Sequence, residues 1–235
     1  MFRIIKNKFS YQFKELDHFP LTFIFSLRQA KDMRKKDNLI SFLEKLNPSA
    51  NRLVIAKCLH SSKVVLVESG FKKEEIFYCD SLVTQDKRTA LAIFTADCLS
   101  IFLYDLKNEA IGLIHAGWRS TKEEIVFKTI KIMKDKFFTK AGDLFVGFGP
   151  AIRNCCYEVG EEFKRFFSSK YLSKRRGKLY FDLVKINRDR LISCGVKKER
   201  IYDCAFCTSC YNDILFSFRK EADTAGRIVS LAMLH

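Results

Sequence analysis

The chain has 235 residues, 48% of them hydrophobic, which is enough for a single domain over residues 1–235 with a substantial core. Its net charge of +15 would attract polyanions, but the lysines are scattered and form no aromatic-interleaved stripe or helix-turn-helix pattern, so we expect no nucleic-acid partner. Nine cysteines without a signal peptide or an apolar stretch of membrane-spanning length predict a cytoplasmic protein with no membrane partner, in which the cysteines are thiols or ligands.

The N-terminal half predicts one helix among strands. Apolar residues recur at helical spacing over Asn38–Leu46, and His60 lies between two strand-like arms. The predicted strands are Leu21–Leu27, Arg52–Ala56, Lys63–Val67, Leu91–Ala96, Ile101–Tyr104 and Ala110–Ile114.

The C-terminal half has clearer helix boundaries. Thr121 and Glu124 fit a capping box before an apolar helical face, and Asp182 is a candidate cap for a helix that ends before Gly195. The apolar face is formed by Ile125, Thr129, Ile130, Met133 and Phe137, and further strands are predicted at Leu144–Phe148, Leu215–Phe218 and Arg227–Leu234. Because strands and helices alternate unevenly, we predict an α+β fold in which a mixed β-sheet is layered against helices.

Candidate chemistry lies at the ends of apolar strands. Cys98 and His115 occur in TADCLSIFLYD and IGLIHAGWRS, and His60 occurs in LVIAKCLHSSKVVLV. Two imidazoles and a thiolate suit zinc and leave one coordination position open. Taken singly, Cys98 also fits a small buried hydrophobic residue and His115 a structural histidine. Trp118 and Arg119 fit either a ligand-anchoring pair or a core Trp beside a surface Arg.

Motifs along most of the chain resemble those of the YfiH-type laccase-domain, or polyphenol-oxidase-like, family, also described as purine nucleoside phosphorylases. In chain order they are FSLR at 25–28, His60, DSLVT at 80–84, TADCL at 95–99, HAGWRS at 115–120, GPAIRNCCYEVG at 149–160, CT at 207–208, FSFR at 216–219 and TAGR at 224–227. The resemblance implies a zinc ion on His60, Cys98 and His115.

The resemblance also implies an activity. It is phosphorolysis of adenosine, inosine, guanosine and methylthioadenosine, with adenosine deamination as a companion reaction, so purine nucleosides and phosphate are the expected partners of a monomer. Cys98, His115 and Asp97 are the candidate catalytic residues, and Asp80 is an alternative to Asp97 as the carboxylate that orients a ligand or carries a proton. Guanidinium groups bind anionic oxygens in pairs, which makes Arg28, Arg119, Arg219 and Arg227 candidate substrate-binding residues, although each alone also fits a structural salt bridge.

The chain departs from the family pattern at three places. Cys58-Leu59-His60-Ser61 replaces Gln-Val-His-Gly, Ser120 replaces a glycine, and QAKDMRKKDN replaces the glycine-rich loop that follows FSLR. Because that loop shapes the substrate side in the family, the departures concern the substrate more than the metal.

Other chemistries fit parts of the same pattern. Four histidines are too few for a multicopper cluster, yet one His₂Cys site also accepts copper and would support polyphenol oxidation in vitro. Alternatively, Cys98 is a nucleophile and His115 its base in a hydrolase that edits peptidoglycan precursors. The spacing of Cys204, Cys207 and Cys210 resembles an iron–sulfur motif without its fourth ligand. For the adjacent Cys155 and Cys156 we expect packing rather than joint ligation.

Overall fold

The structure is a computed structural model that describes residues 4–6, 9–13, 16, 18–46, 50–70 and 72–235. Its strands are β1 (Ile4–Lys6), β2 (Ser10–Phe13), β3 (Leu21–Ser26), β4 (Arg52–Ala56), β5 (Val64–Leu66), β6 (Glu74–Phe77), β7 (Ser81–Thr84), β8 (Thr89–Thr95), β9 (Leu99–Asp105), β10 (Ala110–Ala116), β11 (Leu144–Phe148), β12 (Glu158–Val159), β13 (Leu172–Arg175), β14 (Lys178–Phe181), β15 (Ile201–Asp203) and β16 (Ile228–Leu234). Its α-helices are α1 (Lys36–Leu46), α2 (Trp118–Lys122), α3 (Ile125–Phe137), α4 (Leu183–Ser193) and α5 (Phe218–Glu221).

Two large mixed sheets form the centre of the molecule. One has the strand order β1-β2-β3-β16-β8-β4-β6, and the other has the order β15-β11-β9-β10-β7-β5. In the first sheet β4 is parallel to β6 and β8, whereas β16 is antiparallel to β3 and β8. A small third sheet has the order β12-β14-β13.

The abundant phenylalanines fill the space between the two large sheets. Phe23 and Phe25 of β3 belong to the same buried cluster as Phe102 and Tyr104 of β9. Because strand side chains alternate between faces, the intervening residues of β9 belong to a second cluster, which they share with α3 and α4. Strand β9 is therefore buried on both faces, as its nearly unbroken apolar sequence requires.

Helices cover the outer faces of both sheets. Leu39 and Phe42 of α1 pack with Ile24 and Ile55 on the outer side of the seven-stranded sheet. The predicted α+β class, with mixed β-structure layered against helices, is confirmed, although the β-structure consists of two large sheets where one was expected. Within the described part of the chain, no helix has the length and apolar character needed to cross a membrane.

Several local predictions are confirmed by the structure. The strands at Arg52–Ala56 and Leu144–Phe148 have the predicted bounds. Asp182 caps α4 by accepting a hydrogen bond from the Lys185 amide at 2.9 Å, and Gly195 has a φ of 101°, the left-handed conformation expected after the helix. All five residues of the predicted apolar face of α3 are buried.

The predicted capping box is wrong. Helix α2 begins after Gly117, whose amide donates to the Ser120 hydroxyl at 2.9 Å, so Thr121 already lies inside a helix. The Thr121 side chain is buried and contacts Asn187 of α4. Glu124 has a φ of 66° and joins α2 to α3 without capping either helix by its side chain. A tertiary contact has therefore replaced the local cap.

The predicted strand at Leu215–Phe218 is also wrong. Leu215 and Phe216 are buried, which explains the strand-like pattern, but the backbone here makes no ladder. The Leu215 carbonyl accepts hydrogen bonds from the Arg28 guanidinium, and the Ser217 amide donates to Glu221. Side chains thus satisfy the polar groups that a neighbouring strand would otherwise bind.

Candidate active site

The β9–β10 pairing brings Cys98 and His115 together. Cys98 immediately precedes β9, and β9 runs antiparallel to β10 with Ser100 opposite His115 and Leu99 opposite Ala116. The beginning of one strand therefore lies beside the end of the other. Asp97, in the connection from β8, has a φ of 90°, and this turn directs the chain into β9.

The loop that carries His60 is held by one buried carboxylate. The amides of Leu59, His60 and Ser61 donate to the Asp80 carboxylate at 3.1, 2.9 and 2.9 Å. The Ser61 hydroxyl donates to the same group at 2.9 Å. Since His60 has a φ of 57°, this network stabilises a loop conformation that a histidine seldom adopts alone.

Asp80 also fixes the orientation of His115. The His115 Nδ1 atom lies 2.9 Å from Asp80 Oδ1, and Asp80 is fully buried. Burial raises the pKa of Asp80, but the donors around it, His115 first, outweigh burial and lower that pKa below its ordinary value. A carboxylate on Nδ1 leaves Nε2 as the free ring nitrogen, which is the usual arrangement behind a metal-bound histidine.

His60, Cys98 and His115 offer ligand atoms that all lie within 4.8 Å of one another. His115 is buried, Cys98 is half-buried and His60 is exposed, so the group is accessible from one side. Burial raises the pKa of the Cys98 thiol, but His115 and His60 outweigh it and lower that pKa to about 6. The donor set fits zinc in both softness and number, with a position left for a reactant.

A cavity of about 750 Å³ opens onto these residues. Its walls include Phe94, Trp118, Tyr157 and Phe218. Trp118 packs against Phe163 and Phe166, and the Arg119 guanidinium lies 4.3 Å from the centre of its ring. Trp118 thus packs on core phenylalanines on one side, and both Trp118 and Arg119 line the cavity on the other. The pair therefore combines features of a core tryptophan and of a ligand-anchoring pair.

Gly117 lies where a side chain would crowd the candidate ligands. A Cβ atom built on it would be 3.1 Å from the Cys98 sulfur and 3.4 Å from the His60 ring. Its φ of −86° is open to any residue, so close approach to the candidate ligands, and not backbone conformation, favours glycine here.

The family can be decided from comparison with known proteins. The family model described as multi-copper polyphenol oxidoreductase laccase matches residues 28–235. The chain belongs to this family. The membership predicted from the HAGWRS and CCYEVG motifs is confirmed.

Relatives of this laccase-family chain carry the name purine nucleoside phosphorylase, and two of them illustrate the similarity. One, from Bacteroides thetaiotaomicron, is 31% identical over 226 residues, covering 90% of this chain and 83% of the relative. The other, from Clostridium acetobutylicum, is 34% identical over 184 residues, covering 74% of this chain and 73% of the relative.

Solved structures have the same fold. The hypothetical protein YfiH of Bacillus licheniformis superposes with a TM-score of 0.88 at 21% identity, covering 100% of this chain and 99% of the other. YlmD from Geobacillus stearothermophilus gives a TM-score of 0.87 at 22% identity, with 100% and 98% coverage. At these identities the likeness concerns the fold alone.

The candidate substrate-binding arginines of this laccase-family chain divide into two groups. Arg119, Arg219 and Arg227 line the cavity. Arg28 is instead bonded to the Leu215 carbonyl at 2.9 Å and to Glu221 at 2.6 Å, outside the cavity lining. Its contacts hold the segment from Leu215 to Glu221, which carries Arg219.

Asp97 lines the cavity, and its carboxylate already has two partners. Oδ1 accepts the Thr208 hydroxyl at 2.5 Å, and Oδ2 accepts the Arg219 amide at 2.6 Å. Asp97 therefore joins the strand end that carries Cys98 to the segments around Thr208 and Arg219.

Some residues that line the cavity are not singled out by the sequence as candidate site residues. Arg34 and Lys57 line the cavity from the charged segment after FSLR and from the end of β4. Cys58 also lines it, and its sulfur lies within 4.8 Å of ligand atoms of Asp80 and His115. For Tyr157 a signal existed in the CCYEVG block, whereas Arg34 and Lys57 resemble ordinary surface cations in the sequence.

Proposed function

We propose that the chain is a zinc-dependent purine nucleoside phosphorylase that acts on adenosine, inosine, guanosine and methylthioadenosine, with accompanying adenosine deaminase activity. The observation that carries the proposal is the convergence of His60, Cys98 and His115 within 4.8 Å on the cavity. The names of the relatives point to a nucleoside-processing enzyme as well.

The cavity suits a nucleoside together with phosphate. A volume of about 750 Å³ lies within the usual range of small-molecule sites. Phe94, Trp118 and Tyr157 offer aromatic surface for a purine, and Arg119, Arg219 and Arg227 offer guanidinium groups for phosphate oxygens. The arginines also increase the local concentration of the anionic reactant.

In the proposed reaction a phosphate oxygen bonds to the anomeric carbon of the sugar while the bond from that carbon to the purine nitrogen breaks. The electron pair of the broken bond leaves with the purine, which then takes the proton that hydrogen phosphate loses. Arg119 and Arg219 would hold phosphate on one side of the sugar, and Asp97 on the cavity wall would carry the proton. Zinc, when bound, supplies a Lewis acid with one open position.

The companion deamination would consume water and adenosine and yield inosine and ammonia. His60, Cys98 and His115 would hold the metal for both reactions, and Asp80 would keep His60 and His115 in place through its hydrogen bonds. Sharing one centre predicts that a variant lacking Cys98 loses both activities together.

The first test measures zinc content and the release of free purine base from inosine and adenosine with and without phosphate. Cys98→Ala should lose the zinc ion held by the trio, and base release with it, since it removes the only thiolate among His60, Cys98 and His115. Cys194→Ala is the matched control, because Cys194 caps the end of α4 away from the cavity. Base release by Cys98→Ala at the wild-type rate would show that the assignment is wrong.

A cysteine hydrolase acting in peptidoglycan precursor editing is the second candidate function. It is favoured by the lowered pKa of Cys98, about 6, beside His115. As a nucleophile, Cys98 should be alkylated by iodoacetamide equally with and without zinc. Protection by zinc supports the phosphorylase proposal, as does loss of activity in His60→Ala.

The remaining alternative is copper-dependent polyphenol oxidation. If this oxidation appears only after the protein is loaded with copper, it is an in vitro property of the same three ligands.

A further inference from the structure

Four cysteines converge at a second place outside the cavity. Their ligand atoms all lie within 4.8 Å of one another, and the residues are Cys155, Cys156, Cys207 and Cys210. The Cys210 sulfur lies 3.6 Å from that of Cys155 and 3.4 Å from that of Cys156. The sequence does not reveal this group, because adjacent cysteines are poor joint ligands by spacing and because the regular spacing of Cys204, Cys207 and Cys210 includes Cys204, which is not a member.

The sheet explains why these cysteines meet. Strands β11 and β15 are parallel neighbours, so the chain leaves both at the same edge. The two exit segments continue to pair beyond the sheet, through a bridge between Ala151 and Cys207 and a hydrogen bond from the Thr208 amide to the Ala151 carbonyl. Turns then place Cys155 and Cys156 of the first segment opposite Cys207 and Cys210 of the second.

One backbone amide and two guanidinium groups lie around the four cysteines. The Arg153 amide donates to the Cys207 sulfur at 3.4 Å, and amide donors of this kind are common around metal-bound thiolates. The Arg219 guanidinium bonds to the Cys156 carbonyl at 3.2 Å, and that of Arg175 bonds to the Asn154 carbonyl. Both guanidinium groups thus hold the backbone of the turn that carries Cys155 and Cys156.

We propose that Cys155, Cys156, Cys207 and Cys210 bind one zinc ion in a closed, four-thiolate structural site. With a zinc–sulfur distance of about 2.3 Å, tetrahedral sulfurs lie about 3.8 Å apart, close to the separations seen here. An iron–sulfur cluster would distribute its cysteines over several irons and hold them farther apart. Each thiol gives its proton to solvent as it binds, so four protons leave for one zinc ion taken up.

The site would fasten a wall of the cavity. Cys156 precedes Tyr157, and its carbonyl is bonded to Arg219, while Thr208, next to Cys207, donates to Asp97. A zinc ion here would join the two segments that position these cavity residues. It would act without touching substrate, so its role is structural.

The test is zinc stoichiometry of the full chain by mass spectrometry. We expect about two zinc ions per wild-type chain, and about one in either His60→Ala or the double variant Cys155→Ser/Cys210→Ser. Cys204→Ala is the matched control, since Cys204 lies three residues from Cys207 in the same segment and outside the group; it should keep both ions. If His60→Ala loses the zinc ion of the cavity and keeps the ion of the four cysteines, the two sites are independent. Failure of one proposal can then be distinguished from failure of the other.

Cobalt and alkylation give readouts that do not depend on a folded cysteine variant. Cobalt-loaded His60→Ala should show the intense thiolate-to-cobalt absorption of a tetrahedral four-sulfur site. In the wild-type protein the four cysteines should resist iodoacetamide until a chelator is added. The inference is overturned if the double variant keeps the wild-type zinc content, if the four cysteines react equally with and without chelator, or if the untreated protein contains a disulfide among them.

Discussion

The Asp80 carboxylate accepts hydrogen bonds from the His60 loop and from the His115 ring, so it links two of the three candidate ligands. In Asp80→Asn a neutral amide would replace this acceptor and present a donor to the same amides. Groups that hydrogen-bond to metal-binding side chains typically contribute about 10-fold to 100-fold to metal affinity, so we expect zinc affinity to fall by a factor in that range. Chelator competition measures it.

Asp105→Asn is the control for Asp80→Asn. Asp105 is equally buried, and its carboxylate binds the Lys107 and Asn108 amides in the turn after β9, away from the cavity. This variant should bind zinc as the wild type does even if its stability falls. Unchanged zinc affinity in Asp80→Asn would contradict the assigned role of Asp80.

Gly117→Ala tests how closely the candidate ligands approach the backbone. The added methyl group would lie 3.1 Å from the Cys98 sulfur, so either the sulfur or the His60 ring has to move. We expect reduced zinc occupancy and a severalfold loss of base release with little change in melting temperature, because the φ of −86° suits alanine. Gly142→Ala, whose Cβ would meet its nearest atom at 3.5 Å, should leave both properties unchanged. Full zinc occupancy in Gly117→Ala would show that the ligands lie farther from this residue.

At the scale of single elements, the cap of α4 offers a direct measurement. Asp182→Ala removes the acceptor of the Lys185 amide and should lower the free energy of unfolding by about 1 kcal/mol. Asp182→Asn retains a capping oxygen and should stay near the wild type. Urea unfolding of the three proteins checks this, and equal stability of the Ala variant would mean that the cap contributes nothing.

The elements that sequence reasoning recovers are those whose pattern is local. Strands at Arg52–Ala56 and Leu144–Phe148 and the cap at Asp182 follow from apolar runs and short-range hydrogen bonds. The capping box at Thr121 and the strand at Leu215–Phe218 are predicted wrongly because the hydrogen-bond partners, Asn187 and Arg28, are distant in the sequence. A side chain bonded across such a distance leaves no periodic trace.

The same distinction applies to the two sites. His60, Cys98 and His115 could be singled out because rare residue types follow apolar strands within family motifs. The sequence offers Asp80 and Asp97 as alternative orienting carboxylates, but the contacts of Asp80 with both histidines and the meeting of Cys156 with Cys210 depend on strand pairing that no spacing reveals. Donor chemistry was therefore predictable, whereas the contacts that orient the donors required the fold.

At the scale of the whole molecule, the net charge of +15 acts on the two proposed reactants differently. Phosphate is an anion and is attracted over a distance that salt shortens to about 8 Å at physiological ionic strength, whereas inosine is neutral. We expect kcat/KM for phosphate to fall by roughly threefold or more between low salt and about 0.5 M sodium chloride, while kcat/KM for inosine stays nearly constant.

Steady-state kinetics with each reactant varied in turn distinguishes charge attraction from general effects of salt. Sucrose at matched osmolality is the control, because it changes the solvent without screening charge. An equal decline for inosine would instead indicate that salt alters the enzyme itself. A constant value for phosphate would mean that Arg119, Arg219 and Arg227 act only at contact distance and that the remaining positive charge does not assist binding. The two outcomes thus separate the field of the molecule from the arginines of its cavity.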